Sequence, residues 1–414
     1  MGIVDLLRAE RSFRFVWLSQ VVSEAGDWFQ IVAIFSMFPT AGRGSAVLAG
    51  LYVARYVFAT LVMPIAGVVA DRFHRGRVMI LADLGRMLVT LGFLLVHGPE
   101  DIALVFVLSL LLEGMSAFFE PARGAAIPQV VPPGGLLSAN LLSGATWSAL
   151  LGLGSMAGGV TTSLLGRKAA FAINAVSFAL SAVFVKMARI PPLPPQEEGT
   201  RAPHPLRDLS DGFVFLRKHP AQAALLVAKP GALLAGGYLI LVSVFADRVF
   251  GGDVPMTMGL LLAGRGTGAL FFPFLMMRIF GRDVRGVMRA LVFAFPLSVV
   301  AFCVFSSAPT AVLASLALVV AHGGTSTAWT GSAQLLQLTV PNRVLGRVLS
   351  VELALVTMVV AIAGTAVGAL LGAGLAPRTV AFVLALSLLV PGAVWIASYK
   401  KYAAVLEKAA SPHR

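Results

Sequence analysis

Eight ionisable side chains lie inside long apolar runs of this 414-residue sequence. They are Glu24, Asp27, Arg55, Arg86, Glu113, Lys229, Arg265 and Glu352. A charge in hydrocarbon is costly, so such groups either pair with one another, face a polar cavity or carry a proton. The chemistry open to them is therefore ion pairing, reversible protonation and the binding of a charged ligand.

Depth along a helix, at about 1.5 Å per residue, predicts partners for several of these charges. Asp27 and Arg55 lie at similar depth from the same end of their apolar runs, and we expect them to form an ion pair. Glu24 lies one helical turn from Asp27 on the same face. Lys229 and Glu352 lie at similar depth from the opposite end, which predicts a second ion pair.

Three further charges are harder to pair. The depth of Arg86 matches that of Glu120 better than that of Glu113. No basic residue lies near the depth of Glu113 on an adjacent run, so we expect this carboxyl group to bind and release a proton. The alternative is a protonated acid that only forms a structural hydrogen bond. Arg265 also lacks an obvious partner and is expected to face a cavity, while simple neutralisation explains Lys229 and Arg86 as well as function does.

The segments that carry these charges are long enough to cross a bilayer. Hydrophobic residues make up 58% of the chain, charged residues 12%, and the mean hydropathy is +0.88. A lipid core demands about 20 apolar residues per helical span, whereas barrel strands would alternate in polarity over about ten residues. We therefore predict an all-α membrane protein with twelve spans, at 13–38, 46–70, 78–97, 102–126, 139–165, 168–188, 221–247, 255–280, 287–306, 309–337, 344–374 and 378–398.

The distribution of Lys and Arg predicts the orientation. With both termini in the cytoplasm, most of the 32 basic residues fall in cytoplasmic segments, as the positive-inside rule requires. The exceptions outside are Arg43, Arg167, Lys168, Arg248 and Arg378. The net charge of +13 thus reflects topology, and the dispersed basic residues argue against a nucleic-acid partner. We expect a multi-pass protein of the cell (inner) membrane.

One long polar, proline-rich stretch divides the chain. We predict an N-terminal six-helix bundle over 1–189, a cytoplasmic linker over 190–220 and a C-terminal six-helix bundle over 221–414. The end of the linker, Asp208 to His219, has the pattern of an amphipathic surface helix, although an ordinary linker is an equal alternative. The halves resemble each other, because the second and eighth spans each carry a mid-depth arginine. Such duplicated halves are typical of secondary transporters.

The most specific motif lies between the second and third spans. It reads Gly67-Val-Val-Ala-Asp71-Arg72-Phe-His-Arg75-Gly-Arg77. Glycine suits a tight turn between antiparallel helices, and an acid followed by bases can exchange salt bridges with neighbouring helix ends. The positive-inside rule alone would explain the arginines but not the full pattern. With Arg86 and Glu120, which lie close to it in depth, the motif predicts a cytoplasmic gate.

This loop resembles the signature of the major facilitator superfamily, with His74 where many members have glycine, and the resemblance covers nearly the whole chain. It implies the major facilitator fold of two pseudo-symmetric six-helix bundles. Other stretches are similar to the drug:proton antiporter branch, which includes macrolide efflux, siderophore exporter and lysophospholipid transporter proteins. These stretches are 23–28, 119–123, 139–141, 213–217, 335–341 and 346–348.

Small residues at regular spacing mark two spans. Gly154-Ser-Met-Ala-Gly158-Gly159 resembles the antiporter motif of the family, with Ser155 in place of proline. Span eleven carries glycine at 364, 368 and 372. Small side chains let helix backbones approach closely, which predicts tight packing here and allows the halves to move against each other.

The resemblance implies a proton-coupled exporter of amphiphilic small molecules that works by alternating access. The candidate proton-coupling acids are Glu113, Asp27 and Glu24. The candidate substrate-binding residues are Trp28, Arg55, Arg265, Gln334 and Trp329. We expect a monomer whose partners are the substrate, protons and the lipid bilayer, with no cofactor or metal and with the proton gradient as the energy source.

Two alternatives remain. A lysophospholipid or lipid flippase of the same fold would use Arg55 or Arg265 to hold a phosphate group. A membrane enzyme is disfavoured, because the sequence contains no H-E-x-x-H motif, no G-x-S-x-G motif and no nucleotide-binding loop. The single cysteine, Cys303, excludes an internal disulfide. The sequence does not identify the substrate, the proton stoichiometry or the direction of transport.

Overall fold

The computed structural model describes residues 1–38, 44–192 and 205–410. All regular secondary structure in these ranges is helical, which confirms the predicted all-α class. The reason is that a helix satisfies its own backbone hydrogen bonds, whereas lipid offers no partner for an open strand edge.

Residues 1–38 and 44–192 contain seven α-helices. They are α1 (Ile3–Ala9), α2 (Arg11–Phe35), α3 (Gly44–Arg72), α4 (Arg75–Gly92), α5 (Ile102–Val130), α6 (Leu136–Leu165) and α7 (Arg167–Met187). Short 3₁₀ turns at Phe93–Leu95, Pro99–Asp101 and Pro133–Gly135 connect three of them.

The C-terminal half begins with α8 (Pro205–Lys218), the helix predicted at the end of the linker. The remaining helices are α9 (Pro220–Leu225), α10 (Ala228–Ala232), α11 (Tyr238–Val244), α12 (Val254–Phe280), α13 (Val284–Ser307), α14 (Ala311–Thr339), α15 (Asn342–Gly372), α16 (Pro377–Ser387) and α17 (Leu389–Ala409).

Eleven helical segments of the described chain are long and apolar enough to cross a membrane. Eleven of the twelve predicted spans coincide with them. The first predicted span, 13–38, falls on α2, a helix of 25 residues that is not among the eleven. Polar side chains, including Gln20, Glu24, Asp27 and Gln30, lower the hydropathy of this helix.

Two predicted spans are interrupted. Span 221–247 consists of α9, α10, a 3₁₀ segment (Leu233–Gly237), α11 and a π-helical segment (Phe245–Phe250). Pro230 lacks an N–H group for the helix ladder, and the adjacent glycines Gly231, Gly236 and Gly237 favour irregular backbone. Span 378–398 divides into α16 and α17 at Leu388, because Pro391 has no N–H group to donate to the Ser387 carbonyl.

The described residues form two compact units. The first lies within Met1–Pro39, Ala54–Ala202 and Asp253–Gly259, and the second within Thr40–Val53, Pro203–Gly252 and Leu260–Arg414. The division into bundles 1–189 and 221–414 stays a prediction, and 193–204 of the predicted linker lie outside the described residues.

Each unit has its own apolar core. In the first unit, Phe13, Met79 and Phe119 are buried together with small residues of α5. In the second, Trp395 is fully buried, and its indole N–H donates to the Met288 carbonyl at 3.2 Å. Large apolar side chains also lie on the outer surfaces, where lipid rather than water contacts them.

Small residues bring helices close together, as predicted. A Cβ atom at Gly158 would lie 2.8 Å from the Phe29 Cα, so α6 and α2 touch backbone to backbone. In the second unit, Cβ atoms at Gly364 and Gly368 would lie 2.7 Å from a Val53 methyl and 2.5 Å from the Ala49 Cβ. Gly372, by contrast, faces open space.

Labelling of introduced cysteines tests the predicted orientation. In a Cys303→Ser background, we expect an impermeant maleimide to modify Glu100→Cys in intact cells and Gly134→Cys only after the membrane is opened. Glu100 lies between α4 and α5 and Gly134 between α5 and α6, so they should lie on opposite sides, and both are exposed. If the maleimide modified only Gly134→Cys in intact cells, the orientation would be the reverse of the predicted one.

Candidate functional site

Arg55 on α3 and Glu113 on α5 form an ion pair in the first unit. The Arg55 Nε lies 2.7 Å from the Glu113 Oε1, and the guanidinium Nη2 contacts the same oxygen. The side chains are 16% and 23% exposed, so the pair is largely withdrawn from solvent. The predicted Asp27–Arg55 pair is therefore wrong, as is the expectation that Glu113 lacks a basic partner. Depth along a helix gives the position of a residue along the membrane normal, but it does not show which faces of neighbouring helices are in contact.

Arg86 on α4 pairs with Asp83 of the same helix, three residues earlier. Its guanidinium carbon lies 4.2 Å from the ring centre of Phe119 and 4.4 Å from that of Phe178, so the cation is held between two aromatic rings. The Ser181 hydroxyl donates to the Asp83 Oδ2 at 2.7 Å. This site is buried and couples α4, α5 and α7.

The predicted match of Arg86 with Glu120 is wrong. Glu120 instead accepts from the Arg123 Nη2 at 2.7 Å and is nearly half exposed. Both observed pairs join residues three apart on one helix, which lie on the same face, whereas depth matching considered only pairs between different helices.

Gln20 connects Arg123 to Glu24. The Arg123 Nη1 donates to the Gln20 Oε1 at 2.7 Å, and the Gln20 Nε2 donates to the Glu24 Oε1 at 2.9 Å. Gln20 also donates to the Ser143 carbonyl at 3.1 Å. The other Glu24 oxygen, Oε2, is buried and accepts no hydrogen bond within the described residues. Glu24 therefore lacks a direct basic partner.

Asp27 lies within electrostatic range of both arginine pairs, Arg55–Glu113 and Arg86–Asp83. Its carboxyl group forms no hydrogen bond or ion pair with any residue in the described ranges, but it interacts electrostatically with Arg86, Arg55, Glu113 and Glu120. Asp27 is therefore the acid that both arginines could take as an alternative partner.

Lys229 and Glu352 form the ion pair predicted from their depth. The Lys229 Nζ lies 2.5 Å from the Glu352 Oε2, and the side chains are 11% and 3% exposed. The Ser332 hydroxyl donates to the other carboxylate oxygen at 2.8 Å. Lys229 lies on the five-residue helix α10, within the interrupted span of the second unit. Sequence reasoning did not identify Ser332, because a lone serine in an apolar run is a weak signal.

The predicted substrate-binding residues lie in different places. Trp329 is 43% exposed, and the Lys229 Nζ lies 4.8 Å from its ring centre. Trp28 is buried against α6 and meets Trp147 edge to face at 6.2 Å. Gln334 donates to the Arg282 carbonyl at 3.0 Å, at the turn between α12 and α13.

Arg265 is partly buried on α12 and forms no hydrogen bond or ion pair within the described chain. It interacts electrostatically with His322, whose ring packs edge to face against Phe302 at 5.2 Å. The expectation that Arg265 lacks a charged partner in its half agrees with this placement. Its predicted role in substrate binding stays a prediction.

The signature loop is mostly exposed. Asp71, Arg72 and Arg77 face solvent, and a Cβ atom at Gly67 would meet open space. Arg75 reaches α5, where its Nη1 donates to the Ala125 carbonyl at 2.7 Å. This contact joins the loop to the helix that carries Glu113 and Glu120. The gate role of these residues stays a prediction.

A buried polar cluster, absent from the predicted site, joins three helices of the first unit. The Asn174 Nδ2 donates to the Gln30 Oε1 at 2.5 Å, and the Thr90 hydroxyl donates to the same oxygen at 3.3 Å. Amides within apolar runs were the available signal, since a buried amide needs a partner on a neighbouring helix.

Comparison with known proteins shows the family. The Major Facilitator Superfamily profile matches residues 16–353, and the chain belongs to this superfamily. It is similar to "Uncharacterized MFS-type transporter YfiS" of Bacillus subtilis (strain 168), with 25% identity over 275 residues that cover 64% of this chain and 63% of YfiS. It is also similar to "Putative bacilysin exporter BacE" of the same strain, with 26% identity over 190 residues, 45% of this chain and 47% of BacE. The chain thus matches less than two thirds of the length of either relative.

Solved transporter structures share the fold. The nucleoside transporter NupG superposes with a TM-score of 0.71 and 15% identity, covering 94% of this chain and 99% of NupG. A bacterial homologue of the human lysosomal transporter Spinster superposes with a TM-score of 0.68 and 15% identity, covering 94% and 98%. These neighbours support the predicted fold class. The finer resemblance to the macrolide, siderophore or lysophospholipid branch stays a prediction.

Proposed function

We propose that the chain is a proton-coupled exporter of amphiphilic small molecules that works by alternating access. The observation that carries this proposal is an excess of acids in one charge network of the first unit. Five acids interact there with three arginines. The acids are Glu24, Asp27, Asp83, Glu113 and Glu120, and the bases are Arg55, Arg86 and Arg123. The similarity to "Putative bacilysin exporter BacE" supports an outward direction of transport.

Among the described residues of this network, the two acids without a direct basic partner are Asp27 and Glu24. Protonation of either removes a negative charge that the three arginines leave uncompensated. A charged Asp27 competes with Glu113 for Arg55, whereas a protonated Asp27 leaves that pair undisturbed. Asp27 should therefore bind a proton more tightly when Arg55 is paired with Glu113 than when Arg55 is paired with Asp27. Such a difference in proton affinity is the condition for a proton to shift a conformational equilibrium.

The available energy is sufficient for such a shift. Each pH unit across the membrane is worth about 1.4 kcal/mol per proton. A gradient of one to two units therefore moves a balanced two-state equilibrium by roughly tenfold to a hundredfold per proton. No cofactor is required, and a monomer contains the whole network.

Dye accumulation in inverted membrane vesicles tests this proposal, with ethidium and Hoechst 33342 as the probes. We expect an acidic lumen to drive accumulation of at least one dye. Asp27→Asn should abolish accumulation against a gradient while dye exchange without a gradient continues, because the substituted amide mimics the protonated acid. Glu100→Gln, at an exposed acid outside the network, is the matched control and should behave as the wild type.

Two results would contradict the proposal. One is dye movement by the wild-type chain that is indifferent to the pH gradient. The other is normal uphill accumulation by Asp27→Asn, by Glu24→Gln and by the variant carrying both substitutions. In the second case neither acid without a basic partner couples protons to transport.

A lipid or lysophospholipid flippase is the second candidate, and Arg265 favours it. A partly buried guanidinium that has no acid partner among the described residues is suited to hold a phosphate group. If lipids are the substrate, Arg265→Gln should slow the flipping of a fluorescent lysophospholipid in proteoliposomes by about tenfold, while the dyes remain unmoved by the wild-type chain.

A further inference from the structure

A cavity opens at one end of the first unit, away from the charge network. Its volume is about 510 Å³, within the range of small-molecule sites. All of its lining residues belong to the first unit. They are the residues that follow α2 and α4, the end of α6, the start of α7 with the glycine before it, and the start of α12.

One part of the lining is basic. Arg167 and Lys168, the first two residues of α7, lie side by side in the wall. Neither forms an ion pair or a hydrogen bond with any residue in the described ranges. Both also fall on the side that the predicted topology places outside, where the positive-inside rule disfavours basic residues. Topology therefore does not explain them, whereas an anionic ligand would.

The acids near this cavity are engaged elsewhere. Asp101 accepts from the His97 backbone N–H at 2.7 Å, and His97 itself lines the cavity. Asp253 accepts from the Ser163 hydroxyl and, at 2.8 Å, from the Met256 backbone N–H. Both carboxylates thus stabilise turns and helix starts, and the charges of Arg167 and Lys168 are left without an acid partner.

A buried hydroxyl group in the wall lacks a partner. Thr162 is 5% exposed, and its Oγ1 forms no hydrogen bond within the described residues. Close by, α7 begins after Gly166, which offers no side-chain cap, so the first N–H groups of this 21-residue helix are also available to an anion.

The rest of the lining is apolar. Met37, Val96, Leu165, Phe171 and Pro255 contribute it. An inorganic ion would gain nothing from these side chains, whereas an amphiphile with an anionic head would place its apolar part against them.

We propose that this cavity binds the phosphate group of an anionic phospholipid, between Arg167, Lys168 and the first N–H groups of α7. Free phosphate shares this recognition chemistry and is the other possible source of the anion. The site is separate from the acids and arginines of the proposed function, so either proposal can fail without the other.

Thermal stability of the purified full chain in dodecyl maltoside tests the site, with phosphatidylglycerol, phosphatidylcholine and inorganic phosphate as separate probes. We expect phosphatidylglycerol to raise the melting temperature of the wild type in a saturable way and phosphatidylcholine to have little effect. Arg167→Gln/Lys168→Gln should raise the half-saturating phosphatidylglycerol concentration roughly 30-fold, at about fivefold for each charge near the membrane surface.

The matched control is Lys400→Gln/Lys401→Gln, which removes two exposed charges of α17 and should keep the wild-type concentration dependence. If inorganic phosphate stabilises the wild type and competes with phosphatidylglycerol, but does neither with the double variant at Arg167 and Lys168, the phosphate group is the recognised part. Equal stabilisation by phosphatidylcholine, or an unchanged half-saturating concentration in that double variant, would overturn the proposal. If the double variant does not fold, Lys168→Gln alone, at an exposed position, replaces it and should raise the half-saturating phosphatidylglycerol concentration about fivefold.

Discussion

Removal of either partner of the Arg55–Glu113 pair should lower transport of the dye probe by about 100-fold. Glu113→Gln removes the carboxylate that the largely buried Arg55 guanidinium contacts and leaves Arg55 to the competing Asp27, and Arg55→Gln leaves Glu113 unpaired. Breaking a buried pair from one side costs about 3 kcal/mol or more, which corresponds to at least a hundredfold change in an equilibrium. Dye accumulation in inverted vesicles, corrected for the amount of folded protein, measures the loss.

The exchanged pair, Arg55→Glu with Glu113→Arg, distinguishes pairing from independent roles. We expect it to recover at least fivefold over either single exchange, because the two groups contact directly and should show a coupling energy of about 1–3 kcal/mol. Glu407→Gln breaks the more exposed pair with Arg285 and should change transport less than twofold. Losses that simply add across the cycle would show that Arg55 and Glu113 act separately.

Glu352→Ala should unfold much of the protein, because it leaves the Lys229 ammonium buried without its carboxylate. The Lys229 side chain is 11% exposed and lies on a short helix in an interrupted span, so it has little freedom to reach water. We expect the free energy of unfolding to fall by about 3–5 kcal/mol. A melting curve of the purified protein in detergent measures this change.

Replacing both partners separates a structural role from a functional one. Lys229→Met/Glu352→Leu keeps the volume and removes both charges, and such replacements are often neutral or stabilising by about 1–4 kcal/mol. We expect this double variant to melt near the wild type and yet to lose dye transport, since Trp329 is exposed beside Lys229 and offers the pair access to a ligand.

Two further results complete that comparison. Ser332→Ala removes one hydrogen bond to Glu352 and should cost only about 1 kcal/mol, which makes it the control for local damage. Full transport by the double variant would show that the Lys229–Glu352 pair only stabilises the fold. A stable Glu352→Ala variant would show that water reaches Lys229.

The membrane-spanning helices were predictable because their signal is local. Hydrocarbon forces each span to be long, apolar and internally hydrogen-bonded, and these properties are read along the chain without knowledge of its neighbours. The interruptions at Pro230 and Pro391 were equally visible as residues, but their effect depends on whether neighbouring helices satisfy the freed carbonyl groups. The predicted spans therefore ran through both breaks.

The charge pairs show where a local signal ends. Lys229 and Glu352 were paired correctly by depth, whereas the same rule paired Arg55 with Asp27 and Arg86 with Glu120. Depth measures position along the membrane normal, and helix rotation and neighbour choice decide the remaining two dimensions. Helix rotation is set by side-chain packing. For example, a Cβ atom at Gly114 of α5 would lie only 3.1 Å from the Phe58 ring of α3, so the glycine allows the two helices to approach closely beside Glu113 and Arg55.

Composition and periodicity alone thus determined the all-α membrane class, the approximate span positions and the list of buried charges, because each follows from the cost of exposing polar groups to lipid. Tertiary structure alone decided which of the buried acids lack a direct basic partner within the described parts of the chain: Asp27 and Glu24, rather than Glu113. It also brought Arg167, Lys168 and Thr162 into one cavity wall. The physical reason is that partner choice depends on contacts between helices distant in sequence, and no local pattern records which faces those helices present to each other.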